Sequence, residues 1–142
     1  MKRLLAVAVA LLAPCFSAGA LAGGSAEPYL GTWTAGLSLE QMYDRGLDPR
    51  LAGSFRLVLR KNGTYTTFNS LDRASRGRFV VSGRRVVFSD DVGCAVAGLH
   101  GKGVYTWTIA RGKLRLATVR KFAGDPCGGR WQTLTYPVWN KR

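Results

Sequence analysis

Histidine is almost missing from this 142-residue chain, which has His100 alone, and acids are scarce, eight Asp and Glu against 21 Lys and Arg. Each shortage removes a class of function. A zinc or thiolate centre needs three or four ligands at set spacing, and one histidine with three cysteines offers no such pattern. Nucleophilic catalysis needs a base beside its nucleophile. His100 lies in the glycine-rich stretch Gly98-Leu99-His100-Gly101, where no serine or cysteine is set next to it. Asp90, Asp91 and Asp125 are acids that could converge on calcium, but Asp90-Asp91-Val92-Gly93 is equally ordinary turn chemistry. Walker and Rossmann glycine patterns are absent. No RNP-like, helix-turn-helix or zinc-finger pattern accompanies the basic residues, so specific nucleic-acid recognition is not expected. The expectation is a non-enzymatic protein with no cofactor and no metal.

Long hydrophobic runs are lacking as well. Leu4 to Leu12 is apolar for nine residues, well short of the roughly 20 that span a bilayer. It follows the basic Met1-Lys2-Arg3, and Ala18-Gly19-Ala20 or Ala20-Leu21-Ala22 supplies an A-x-A cleavage site. Residues 1–22 therefore read as a signal peptide, and the protein is expected to be secreted, periplasmic or at the cell surface. Leu12-Ala13-Pro14-Cys15 fits a lipoprotein box poorly, because proline directly precedes the cysteine. Cleavage leaves Cys94 and Cys127 in an oxidising compartment, where a disulfide is the natural state. That bridge would close a loop of 34 residues counting both cysteines. In the chain-entropy description such a loop contributes about 3–4 kcal/mol.

What the chain does have is turns. Residues 27–142 form one domain, with three hairpins whose glycines and alternating apolar residues agree. The first runs from Ser54 to Phe68; a two-residue turn at Asn62-Gly63 would set Leu57 opposite Phe68, Leu59 opposite Thr66 and Arg60 opposite Tyr65. The second turns at Gly83-Arg84, setting Val81 against Val86 and Phe79 against Phe88. The third turns at Arg111-Gly112, setting Ile109 against Leu114, Trp107 against Leu116 and Thr108 against Arg115. A strand over Tyr29–Ala35 precedes them, a short helix over Leu39–Asp44 lies in the first connection, and a last strand is expected over Trp131–Tyr136. The fold class is all-β, an eight-stranded antiparallel up-and-down barrel with one short helix and one disulfide. Its tight turns fall at one end, and the longer connections at the other, where a mouth belongs.

Gly31-Thr32-Trp33 on the first strand, followed by a helix-like segment and seven meandering strands, resembles the lipocalin and calycin barrels. The resemblance implies a cup for a small apolar ligand, with Gly31 and Trp33 as structural residues at its closed end. Lipocalins commonly set an arginine just after the last strand over that tryptophan; here Lys141 or Arg142 stands at that point, while Arg130 precedes the expected last strand. Asn62-Gly63-Thr64-Tyr65, Gly103-Val104-Tyr105-Thr106-Trp107 and Asp125-Pro126-Cys127-Gly128-Gly129-Arg130 are similar to motifs of small secreted bacterial lipocalin-like domains, mostly without assigned function.

The expected register turns Phe55, Phe68, Phe79, Phe88, Tyr105 and Trp107 inward, as core or as pocket lining. Tyr105 and Thr118 are polar, inward and opposite one another, which suits a pocket better than a pure core. Arg130 either braces the loops by pairing with Asp125 or Asp91, or reaches over the mouth as an anion clamp. The candidate ligand-binding residues are thus Phe68, Tyr105, Trp107, Thr118, Arg130 and Tyr43, with entry near Met42, Tyr43, His100 and Phe122. The expected function is an exported, monomeric barrel that binds a small hydrophobic or amphipathic ligand, including one with an acidic headgroup. Two alternatives stand beside it. One is a module for a secreted protein, such as an extracellular protease inhibitor using Gly36 to Gly53. The other is attachment to an anionic surface polymer through a basic face, since nineteen Lys and Arg remain beyond Ala22.

Overall fold

The computed structural model describes residues 27–71, 74–89, 92, 94, 101–119 and 125–142. The expected positions His100, Phe122, Asp90 and Asp91, and the leader, lie outside them. Eight strands close into an antiparallel barrel in sequence order. They are β1 (Gly31–Leu37), β2 (Gly53–Leu59), β3 (Thr64–Phe68), β4 (Ala74–Ser82), β5 (Arg85–Ser89), β6 (Gly103–Ala110), β7 (Lys113–Thr118) and β8 (Trp139–Lys141). Helix α1 (Leu39–Asp44) and a 3-10 turn (Pro49–Leu51) lie between β1 and β2, and helix α2 (Gly128–Thr135) lies between β7 and β8.

The second and third hairpins pair as their sequences require. Val81 faces Val86 and Phe79 faces Phe88 across β4–β5. Ile109 faces Leu114 and Trp107 faces Leu116 across β6–β7. Their turns use left-handed backbone at Gly83 (φ 58°) and at Arg111-Gly112 (φ 51° and 71°), which matches the twist of the flanking strands. Arg111 bears that conformation despite its Cβ.

The first hairpin is shifted by one residue from the expected register. Leu59 pairs with Tyr65, Leu57 with Thr67 and Arg56 with Phe68. The cause is the loop length. Gly63 N–H donates to Arg60 O and Arg60 N–H to Thr64 O, so three residues, ending in Gly63 at φ 76°, make the turn. One extra loop residue moves each β3 side chain to the other face. Tyr65 and Thr67 are therefore buried, and Phe68 is on the outer surface, not in the interior.

The last strand also differs. Trp131–Tyr136, expected as β, lies almost wholly in α2, and β8 is the shorter Trp139–Lys141. Trp-Gln-Thr-Leu-Thr has strand propensity, but that preference yields to context. The buried residues of α2 are Arg130 and Leu134, four apart, which is a helical spacing. Thr135 Oγ1 satisfies the Trp131 carbonyl at 2.8 Å, and Pro137 follows within two residues.

Both ends of the barrel are covered by the chain. At the tight-turn end Trp33 donates its indole N–H to Tyr29 O at 2.8 Å, and the Tyr29 ring packs edge-on against Trp107 and Phe79. Lys141 Nζ lies 5.3 Å from the Trp33 ring centre and donates to Pro28 O at 3.1 Å. At the other end α1 is held by a capping box: Ser38 Oγ accepts from Gln41 N–H, and the Gln41 side chain accepts from Ser38 N–H. The helix thereby buries Met42. Leu37, Met42, Leu51, Phe55 and Tyr136 meet there around a cavity of about 20 Å³. A second, of about 10 Å³, lies among Leu59, Phe79, Phe88 and Leu114. Such spaces hold a water or two.

Candidate functional site

Cys94 and Cys127 are joined, their Cα atoms 5.7 Å apart. Beside this bridge lies the most concentrated buried polar chemistry among the described residues. Asp125 and Arg130 form an ion pair with side chains 0% and 2% exposed. The carboxylate accepts from Arg130 Nε and Nη2, both at 2.7 Å, in the bidentate arrangement that suits a planar guanidinium. It also accepts from Cys127 N–H at 2.8 Å and from the Tyr105 hydroxyl. Arg130 Nη2 further donates to Gly101 O at 2.8 Å.

Burial, then the hydrogen bond to Asp125 and its charge, push the Tyr105 hydroxyl well above the usual tyrosine range. For Arg130, burial works against the charge, but the Asp125 bond and charge, then Tyr65, outweigh it and raise its pKa. Tyr105 therefore stays a neutral donor and Arg130 a cation. The chain makes room for the cluster with glycine. A Cβ at Gly103 would lie 2.6 Å from Asp125 Cγ and 2.8 Å from the Tyr105 ring. A buried pair joined to β6, to the segment before β6, to the disulfide and to α2 ties four segments together.

Of the candidate residues, the structure brings Tyr105 and Arg130 together through Asp125, and pairs Tyr105 with half-buried Thr118 across β6–β7. Of the two readings of Arg130, the brace is the arrangement observed. Trp107 is separate: it donates its indole N–H to Gly83 O at 3.0 Å, near the tight turns. Tyr43 is 65% exposed on α1, four residues from exposed Leu39. Phe68, on the outside, stacks under the Arg56 guanidinium at 4.1 Å. Asp125 as the partner of Tyr105 was not foreseen; its signal was Gly103, two residues before Tyr105, where a strand glycine marks a close approach.

The outer wall is the other notable feature. None of the eight strands contains an Asp or Glu, while Arg56, Arg76, Arg78, Arg85, Lys113 and Arg115 stand on their outward positions; Lys141 instead shares the inward face with Trp33. The described acids Glu27, Glu40, Asp44, Asp48 and Asp125 all lie in connections. Arg60, Thr64, Thr66, Arg76 and Arg78 border an open groove of about 450 Å³ on the β3–β4 face. Arg60 Nη1 donates to Thr66 Oγ1 there at 2.9 Å. Among the described residues no group of three His, Cys, Asp or Glu is placed to hold a metal. Compared with protein-family models, curated proteins and solved structures, the chain matches none.

Proposed function

We propose that this is an exported, non-enzymatic barrel of lipocalin-like layout whose basic outer wall attaches it to an anionic polymer at the cell surface. One observation carries the reading: six outward cations and no anion on eight strands. A solvated sheet face ordinarily mixes both signs, because interspersed charges cost less in self-repulsion. One sign across β2, β4, β5 and β7 gives a continuous positive field. The interior supports the same reading. Trp33, Tyr65, Phe88, Tyr105, Leu114 and Trp139 are each at most 1% exposed, and the two interior cavities lined by described residues are water-sized. A ligand the size of a small lipid needs hundreds of Å³. Lys141 over Trp33 supports the lipocalin-like layout, since it places a cation where that family sets its arginine.

Binding of the mature protein to polyphosphate and to an acidic polysaccharide, measured as salt is raised from about 50 to 200 mM, tests the proposal. Affinity should fall steeply and linearly on logarithmic axes, and neutral dextran should not bind. Salt-independent binding, or none, would overturn it.

A further inference from the structure

The outer face over β1 and β2 differs from the rest of the wall. Register sets Asn140, Thr34, Arg56 and Phe68 side by side across β8, β1, β2 and β3. The next outward position of β1 is Gly36, opposite Ser54. With no side chain at Gly36 the surface is recessed there. These residues and Asn69 border an open hollow of about 490 Å³.

Two features make the hollow a site of defined chemistry. The Arg56 guanidinium sits over the Phe68 ring, its carbon 4.1 Å from the centroid. Stacking restricts the side chain and orients its planar fork, so less freedom is lost when an anion docks. Among the described residues Arg56 has no carboxylate partner, and no acid borders the hollow. The other polar side chains of the rim are hydroxyls and carboxamides: Thr34, Ser54, Asn69 and Asn140. Such groups both donate and accept, which matches a polyol rather than a second charge.

We propose that this hollow binds one carboxylate-bearing sugar residue of an acidic polysaccharide, with Arg56 gripping the carboxylate in bidentate fashion. The inference rests on the attachment reading above and names its polymer. A single oriented guanidinium suits a planar monoanion. A nucleobase would need the aromatic face that Arg56 already covers. Arg76 and Arg78 continue the track. Arg76 lies two strands over and two residues along from Arg56, a Cα separation of about 12 Å from strand spacing and rise. An extended polymer leaving the hollow would thus meet further cations along the β4 groove.

The fold offers a clean test. A Cβ at Gly36 would meet nothing closer than Gly53 O at 3.7 Å, and its φ is not in the left-handed region. Gly36→Val therefore narrows the recess while every charge stays in place; an unchanged melting temperature reports the intact fold. The probes are an oligogalacturonate hexamer, its carboxyl-reduced neutral form, polyphosphate and a single-stranded oligonucleotide, titrated calorimetrically into the secreted protein. Wild type should prefer oligogalacturonate and ignore the reduced form. Gly36→Val and Arg56→Lys should each lose about tenfold or more for oligogalacturonate, because the recess is blocked beside Arg56 or the fork is gone. Their polyphosphate affinity should stay within about twofold. Retained oligogalacturonate affinity in Gly36→Val overturns the site, as does wild type binding polyphosphate or the oligonucleotide equally well, and either result leaves attachment standing. Failure of wild type to bind any of the polyanions overturns both readings.

Discussion

Removing the Asp125 carboxylate should cost the protein a large share of its stability. Asp125→Ala leaves the Arg130 guanidinium, 2% exposed, without its counter-charge. Breaking a buried pair from one side costs about 3–5 kcal/mol. The Tyr105 hydroxyl and the Cys127 N–H lose their acceptor in the same step, adding about 1 kcal/mol or more each. Because these losses share one group they are not fully additive, and a total near 5 kcal/mol is expected. A domain of this size has about 5–15 kcal/mol in all. Urea unfolding of the oxidised protein, followed by tryptophan fluorescence, is the assay. With a slope of about 1–2 kcal/mol/M the midpoint should fall by roughly 2–5 M. The double variant Asp125→Asn/Arg130→Met should be more stable than Asp125→Ala. It removes both charges, and asparagine keeps its carbonyl for the Cys127 N–H while its amide N–H can donate to the Tyr105 hydroxyl oxygen. A loss below about 1.5 kcal/mol for Asp125→Ala would refute the claim that this pair holds the loop end together. So would a double variant less stable than the single one.

Alkali should destabilise the fold in a way that Tyr105→Phe partly removes. Below the ordinary tyrosine pKa of 10.0 both states keep the proton and nothing is lost. Above it the unfolded chain ionises while the buried hydroxyl does not, so stability falls by about 1.4 kcal/mol per pH unit. Tyr29, shifted the same way by burial and Glu27, supplies a part that remains in the variant. A pH series of urea midpoints from 9 to about 11.5 checks this; identical slopes for both proteins would refute it. Gly103→Ala should cost about 1–3 kcal/mol, since its methyl would press on Asp125 and the Tyr105 ring; a neutral melting temperature would contradict that packing. Replacing Cys94 and Cys127 by alanine should lower stability by about 3–4 kcal/mol, read from urea midpoints without reductant.

The sequence was most legible where a two-residue turn and an alternating pattern coincide. The hairpins at Gly83 and at Arg111-Gly112 are of this kind, and both registers follow from the residues. At Asn62-Gly63 the same dipeptide serves a three-residue loop, and nothing local distinguishes the two lengths. Apolar alternation could not arbitrate, because Tyr65, Thr66, Thr67 and Phe68 offer a hydrophobic residue to either face. Trp131–Tyr136 misled for a different reason. Its helical form depends on Asp125 holding Arg130, and a partner outside the segment is invisible to propensity. The inward hydroxyl of Tyr105 and its pairing with Thr118 were legible from register. The wall's single sign of charge was present in the sequence as well, but became a surface only once topology joined the strands.

The brevity of β8 bears on how the ring forms. Each other strand pairing joins neighbours in sequence, whereas Trp33 meets Lys141 across more than a hundred residues. That closure has a large loop entropy to overcome and only two residue pairs on either side to offset it. The meander can therefore assemble as an open, curling sheet, and zipping of the seam is its final step. Buried Trp139, bonded to Leu134 O, is the latch. Native opening should begin there, so amides of β8 and of the facing edge of β1 should exchange with solvent before those of β6 and β7.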